Sequence, residues 1–316
     1  MGIASTGRFQ PSWIFEKCRL SEGDSIFFPV SPSPESLLWF KRNGIRLFVN
    51  DPMPEKAILV NAIVRNQDEL FSEENIKLLH AHTNRNPDFP GNPFRLWKTP
   101  NLNILQLDFL YFWREVTFSL SDIQMNLLAA AVKGVISYWL SFPVGTVQST
   151  FSPTEILLYF IQRNNNMIFP GRGEIFSIQN EFSEISEEIE SSLQIIILRD
   201  SSTVVAGLPS PDLLFHAWWM GSNNLSVLST NISERYKPWS YSLQEGNSFT
   251  SCASKCGKSV KTAFCWSTCN IQTARSEEII NSQLKRALQN RYKNSSLHFK
   301  SAAQSPEEYD FLCIFN

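Results

Sequence analysis

The chain has 316 residues, of which 43% are apolar and 18% charged, with a formal net charge of -2 and a pI of about 6.1. This balance excludes an intrinsically disordered chain and a globally basic nucleic-acid binder, and the length is ample for a large buried core. A local basic face stays open, and 9 Trp and 24 Phe supply aromatics for packing or base stacking.

The first residues carry no basic stretch followed by an apolar run and a cleavage site, so no secretory leader is expected. Pro11 to Lys17 predicts a short helix with Trp13, Ile14 and Phe15 on its apolar side, and Ser21-Glu22-Gly23-Asp24 leads into a strand at Ile26. The turn that follows, Phe28-Pro29-Val30-Ser31-Pro32-Ser33-Pro34, contains no glycine. Glu35 to Asn43 predicts a helix closed by Gly44 as a natural C-cap. Ile45 to Val49 is a short, nearly all-apolar strand of the kind buried in a parallel sheet, and it runs into Asn50-Asp51. Pro54 to Asn66 reads as the next helix, so the chain opens with β-α-β-α alternation.

The rhythm changes near residue 70. Helices are expected over Ser72–His82, Leu120–Leu140 and Pro153–Arg163, and the loop Asn84–Pro100 contains four prolines. The longest apolar stretch, Met125 to Phe142, is interrupted by Asn126, Lys133, Gly134 and Ser137, too polar to span a bilayer. Asn164-Asn165-Asn166 and Gly171-Arg172-Gly173 read as the return from a largely helical insertion. Strands are then expected at Ile175–Ile178, Leu193–Leu198, Thr203–Gly207, Val260–Trp266 and Tyr309–Phe315, with helices at Phe182–Ser191 and Ser276–Tyr292. Leu208-Pro209-Ser210-Pro211-Asp212 is expected to be loop, because two prolines two apart forbid helix or ladder continuation.

A strand, a tight turn, a helix and a second strand ending in an acid form the opening unit of a nucleotide-cofactor fold. The acid in such a unit stands where it accepts bonds from ribose hydroxyls. In its order of elements and spacing, nearly the whole chain resembles the S-adenosylmethionine-dependent DNA adenine-N6 methyltransferases, in the branch with the cofactor motif first and the catalytic motif late. Phe9–Phe15 matches the family's N-terminal segment that lines the methionine pocket, and Phe28-Pro29-Val30-Ser31-Pro32 aligns with its F-x-G-x-G loop. Lys41-Arg42-Asn43-Gly44-Ile45-Arg46-Leu47-Phe48-Val49-Asn50-Asp51 is similar to the family's passage of helix, glycine, strand and Asn-Asp. The resemblance implies an α/β, Rossmann-like methyltransferase sheet with helices on both faces, built from residues 1–70 and 171–316. It also implies a mainly helical insertion at 71–170, in the position of a target-recognition region. Phe28, Pro29 and Asp51 become the cofactor-binding positions, S-adenosylmethionine the cofactor and DNA the partner.

Two motifs depart from the family's pattern. The catalytic tetrapeptide (Asp or Asn, Pro, Pro, Tyr or Phe) aligns with Leu208, Pro209, Ser210 and Pro211, where one residue of four fits. Leu208 offers no acceptor to the exocyclic amine, and Pro211 has no aromatic face for a flipped base. Asp212 and Phe215, four residues along, are the nearest residues of the right types, and Trp218 and Trp219 could stack on a base although core packing is the commoner role. In the cofactor turn, Pro29, Pro32 and Pro34 remove amide donors and add bulk where glycines would let the backbone approach the ligand. The expectation is therefore a degenerate methyltransferase that has lost methyl transfer and keeps DNA contact. An active, divergent enzyme using Asp51 and Asp212 is the first alternative, and an interaction module on the same scaffold is the second.

The remaining candidates are weaker. Cys252, Cys256, Cys265 and Cys269 form two C-x-x-x-C pairs that raise the question of zinc, but a strand through Cys265 favours cysteines used as small apolar residues, and no metal is expected. His80, His82, His216 and His298 are too scattered for a ligand set. Gly171-Arg172-Gly173 and the run Lys255, Lys258 and Lys261 could touch phosphate, though a return loop and a solvated edge explain them equally well. A cytoplasmic protein without a membrane partner is expected.

Overall fold

The computed structural model describes residues 10–28, 31–51, 54–83, 88–97, 99–142, 151–171, 175–178, 195–199, 211–229, 261–268, 295–302 and 305–315. They belong to two compact units. A sheet unit takes Ala4–Pro52, Gly171–Val204 and Glu234–Asn316, and a helical unit takes Met1–Ile3, Met53–Pro170 and Val205–Ser233.

The sheet unit opens with helix α1 (Pro11–Lys17), strand β1 (Ser25–Phe28), helix α2 (Pro34–Arg42) and strand β2 (Arg46–Asn50). Five strands follow: β3 (Ile175–Ile178), β4 (Ile195–Arg199), β5 (Lys261–Thr268), β6 (Ser295–Ala302) and β7 (Ser305–Phe315). They form one sheet in the order β3-β2-β1-β4-β5-β7-β6. The pairs from β3 through β5 are parallel, and β7 lies antiparallel between β5 and β6. Ile26, Phe27, Phe28, Leu47, Phe48 and Val49 are buried one after another instead of alternately, which is how a parallel strand covered on both faces reads. Burying each of the three phenylalanines contributes roughly 1.5–3 kcal/mol.

Two glycines set the entry to this pair of strands. Gly44 follows α2 at φ +72, the left-handed conformation that closes a helix, and Gly23 sits at φ +92 before β1. The Gly23 N–H donates to the Gly44 carbonyl and the Arg46 N–H to the Asp24 carbonyl, each at 2.9 Å, so the two strands are joined at their start.

In the helical unit, α3 (Pro54–Leu59) continues into a π-helical segment, Val60–Arg65, where the sequence predicts one uninterrupted helix. The wider turn closes with the Asn66 N–H donating to the Asn61 carbonyl at 3.2 Å, a five-residue bond that no local residue preference announces. Next come α4 (Glu73–Thr83), a 3-10 turn at Pro93–Leu96, α5 (Ile104–Thr117), α6 (Asp122–Leu140), α7 (Pro153–Asn165) and α8 (Pro211–Met220). Helix α6 is the hub, packed against α3, the π segment, α5, α7 and α8. It is long and apolar enough to cross a membrane by length and composition, but half of that stretch is buried within the protein. Its Gly134 lets the Phe160 ring of α7 lie directly on the backbone.

Several expectations are corrected by these elements. Helix α5 was not anticipated, although its start carries a capping box in which Asn103 and Gln106 exchange bonds with each other's amides. Strand β6 was missed because Ser295–Ala302 alternates only Leu297 and Phe299 with polar residues. Pro211 does not extend the loop: it is the first residue of α8, a position where proline's missing amide is harmless, and Asp212 lies in the first turn. Besides Met1–Ile3, the helical unit takes Met53–Pro170 and Val205–Ser233, more than the 71–170 insertion expected, because α3, the π segment and α8 all pack on α6. The helices expected at 182–191 and 276–292 and the strand at 203–207 lie outside the described residues.

Candidate cofactor site at the carboxyl edge of the sheet

The strand order reverses direction at β1, with β2 and β3 on one side and β4 and β5 on the other. In open α/β sheets, ligands bind outside the carboxyl ends of the strands at such a reversal. Phe28, the last residue of β1, pairs with Val49, one residue before β2 ends, and Ser31 and Asp51 meet beyond the two strand ends. Asp51 is 3% exposed and Ser31 9%. The Ser31 N–H donates to Asp51 Oδ2 at 3.2 Å, and the Ser31 hydroxyl turns back to donate to the Pro32 carbonyl at 3.0 Å.

The start of α2 is similarly engaged. Ser33 is its N-cap, and its Oγ accepts from the Ser36 N–H at 3.3 Å while the two hydroxyls lie 3.1 Å apart. The Ser36 N–H also reaches the Ser33 carbonyl at 3.0 Å. Of the six residues from 31 to 36, Pro32 and Pro34 have no amide hydrogen, and Ser31 and Ser36 direct theirs inside the chain. Phe28 is fully buried with its ring 5.7 Å from that of Phe40, a core contact. Pro29 lies outside the described residues.

A buried cation stands in the same unit. Lys41, in the last turn of α2, is fully buried, and burial pulls its ammonium down to about 8. Gly171 packs on its aliphatic chain so closely that a Cβ there would fall 2.3 Å from Cε.

In the helical unit, Leu208, Pro209 and Ser210 lie outside the described residues, and the positions that follow them are structural. Lys133 Nζ on α6 donates to Asp212 Oδ1 at 2.5 Å and lies 5.7 Å from the centre of the Phe215 ring. Burial favours the neutral acid, but the Lys133 and Lys56 ammonium groups outweigh it and hold the Asp212 carboxyl well below the usual carboxylate range. Trp218 is fully buried, stacked on Phe215 with ring centres 5.7 Å apart, and its indole N–H donates to the Leu110 carbonyl at 2.7 Å. It is core, not a platform for a base. Trp219 rests against Phe118 at 5.1 Å. Arg114 Nε donates to the Trp218 carbonyl at 3.0 Å, and the Trp97 indole N–H donates to the Ser222 carbonyl at 2.9 Å, so α8 is held at its far end as well.

Sequence reasoning named Asp51 but missed Ser31, twenty residues away, and it missed Lys133, 79 residues from Asp212. It also missed the clamp around Asp108, which is 1% exposed and accepts from Arg95 Nε at 2.8 Å, from Arg95 Nη2 and from Asn92 Nδ2 at 2.9 Å. No sequence signal joins residues so far apart. Among the described residues, no group of three or more His, Cys, Asp or Glu is placed to hold a metal ion. His80 is exposed and His216 buried, while Cys252, Cys256, Cys269, Lys255 and Lys258 lie outside the described residues. No protein-family model matches this chain, and no curated protein matches it in sequence.

Proposed function

We propose that the chain is a degenerate member of the S-adenosylmethionine-dependent DNA adenine-N6 methyltransferases, in which methyl transfer has been lost. The observation that carries this reading is the state of Asp51. An acid ends the second parallel strand at the sheet's reversal point, where a cofactor ribose would be held, yet its carboxylate accepts from the chain's own Ser31 amide. The strand order supports the same reading. An antiparallel β7 between β5 and β6 departs from a dinucleotide-binding sheet and suits a methyltransferase one. Against an active enzyme stands Asp212, which is already the partner of Lys133. DNA enters this reading through the resemblance alone.

Incubation with methyl-labelled S-adenosylmethionine and adenine-containing duplex DNA tests the loss of chemistry. The label stays off the DNA if the reading is right. Transfer that disappears in Asp51→Ala protein would establish the active enzyme instead.

A further inference from the structure

We propose that Ser296 and His298 on β6 form a second reactive site, a serine–imidazole pair that takes the acyl group from activated carboxylic esters such as aryl esters. The pair stands apart from the methyltransferase reading, because β6 ends the sheet's order with β4, β5 and β7 between it and β1. Residues two apart on a strand share a face, and the Ser296 hydroxyl lies 3.2 Å from His298 Nε2, within the reach a general base needs. The antiparallel register sets Ser296 opposite Ile314 and His298 opposite Leu312, so both half-buried side chains border the apolar core. Burial first, and then the Lys17 ammonium of α1, hold the imidazole below its ordinary value and leave the ring largely neutral at pH 7. With the ring proton on Nδ1, Nε2 accepts from the Ser296 hydroxyl.

In the step this geometry allows, Ser296 Oγ bonds to the ester carbonyl carbon while His298 Nε2 takes the hydroxyl proton. The bond from that carbon to the leaving phenol oxygen then breaks, and the phenol departs with the proton. Water, activated by the same nitrogen, hydrolyses the acyl-serine, which releases the carboxylic acid and restores the pair. A cation beside the ring opposes the imidazolium that forms on the way, and no carboxylate among the described residues bonds to that ring. A base weakened in this manner serves esters whose leaving group is already a good one, and that sets the substrate class.

The test incubates the full chain with para-nitrophenyl acetate, quenches it in acid and locates acetyl groups by peptide mass spectrometry. Ser296→Ala and His298→Gln are treated alike, with circular dichroism to establish that each is folded. The unaltered chain is expected to release para-nitrophenol and to carry an acetyl group on Ser296. Release should fall to background in Ser296→Ala, and acetylation of Ser296 should slow about a hundredfold in His298→Gln, the lower end of what a positioned base contributes. If a variant does not fold, the unaltered chain is compared with itself in urea, where acetylation of Ser296 should be lost. An unaltered chain without acetyl on Ser296, or with acetyl groups on lysines only, would overturn the proposal. So would Ser296 labelled equally fast in His298→Gln or in urea.

Discussion

Replacing Gly134 with alanine tests how closely the hub of the helical unit is packed. A Cβ at this position would lie 2.4, 2.7 and 2.8 Å from three ring carbons of Phe160, where an ordinary carbon contact needs about 3.5–4.0 Å. Phe160 is 2% exposed and cannot swing into water, so ring or helix must give by roughly 1 Å. Overpacking of this kind costs about 1–3 kcal/mol, while alanine for glycine inside a helix returns about 1 kcal/mol. We expect Gly134→Ala to lose up to about 2 kcal/mol, measured as a lower urea midpoint with unchanged slope, followed by circular dichroism. In Phe160→Ala protein all three of these ring carbons are gone, so the same alanine should cost nothing or stabilise, giving a coupling of about 1 kcal/mol or more between the two positions. A higher midpoint for Gly134→Ala alone, or two changes that simply add, would refute the packing of α6 on α7.

Further expectations follow from the two buried charges. Asp108→Asn leaves the Arg95 guanidinium without its buried partner and should cost about 3 kcal/mol in thermal or urea unfolding; Arg95 also pairs with the exposed Asp88, which cannot replace that partner. Burial opposes ionisation of Asp108, but bonds from Arg95 and Asn92 hold its carboxyl below the ordinary value. Its contribution is therefore complete above the unfolded value and is lost as pH falls through the folded one. Asp108→Asn should lack that acid-side loss, and parallel pH profiles for the two proteins would contradict the clamp. Lys41 gives the same sign of pH dependence at alkaline pH: its folded value of about 8 lies below the ordinary 10.5, so the unfolded chain binds more protons across that window. Stability should rise with pH there by up to about 1.4 kcal/mol per unit, and Lys41→Met should remove the rise. An equal rise in both proteins would mean that Lys41 is not buried as described.

The parts of the fold that were legible in the sequence are those with a local signal. The apolar run before Asn50-Asp51, Gly44 after α2 and the apolar stretch of α6 each mark an element within a few residues. Pro211 misled because a proline that ends one element can also begin the next, and only the packing of α8 on α5 and α6 decides which. Strand β6 has too short an apolar alternation to stand out, and it is a strand because β7 lies beside it. At the candidate site the acid was legible and its partner was not. Asp51 is marked by the strand it ends, whereas Ser31 meets it only once β1 and β2 are in register. The same limit hid Lys133, so Asp212 stood as a candidate for the catalytic position when it is one half of an ion pair.

The central claim is that the site at Asp51 is closed to the cofactor, and a calorimetric titration of the full chain with S-adenosylmethionine tests it most directly. The account predicts no saturable heat up to millimolar ligand. Micromolar binding that is lost in Asp51→Ala protein would contradict it.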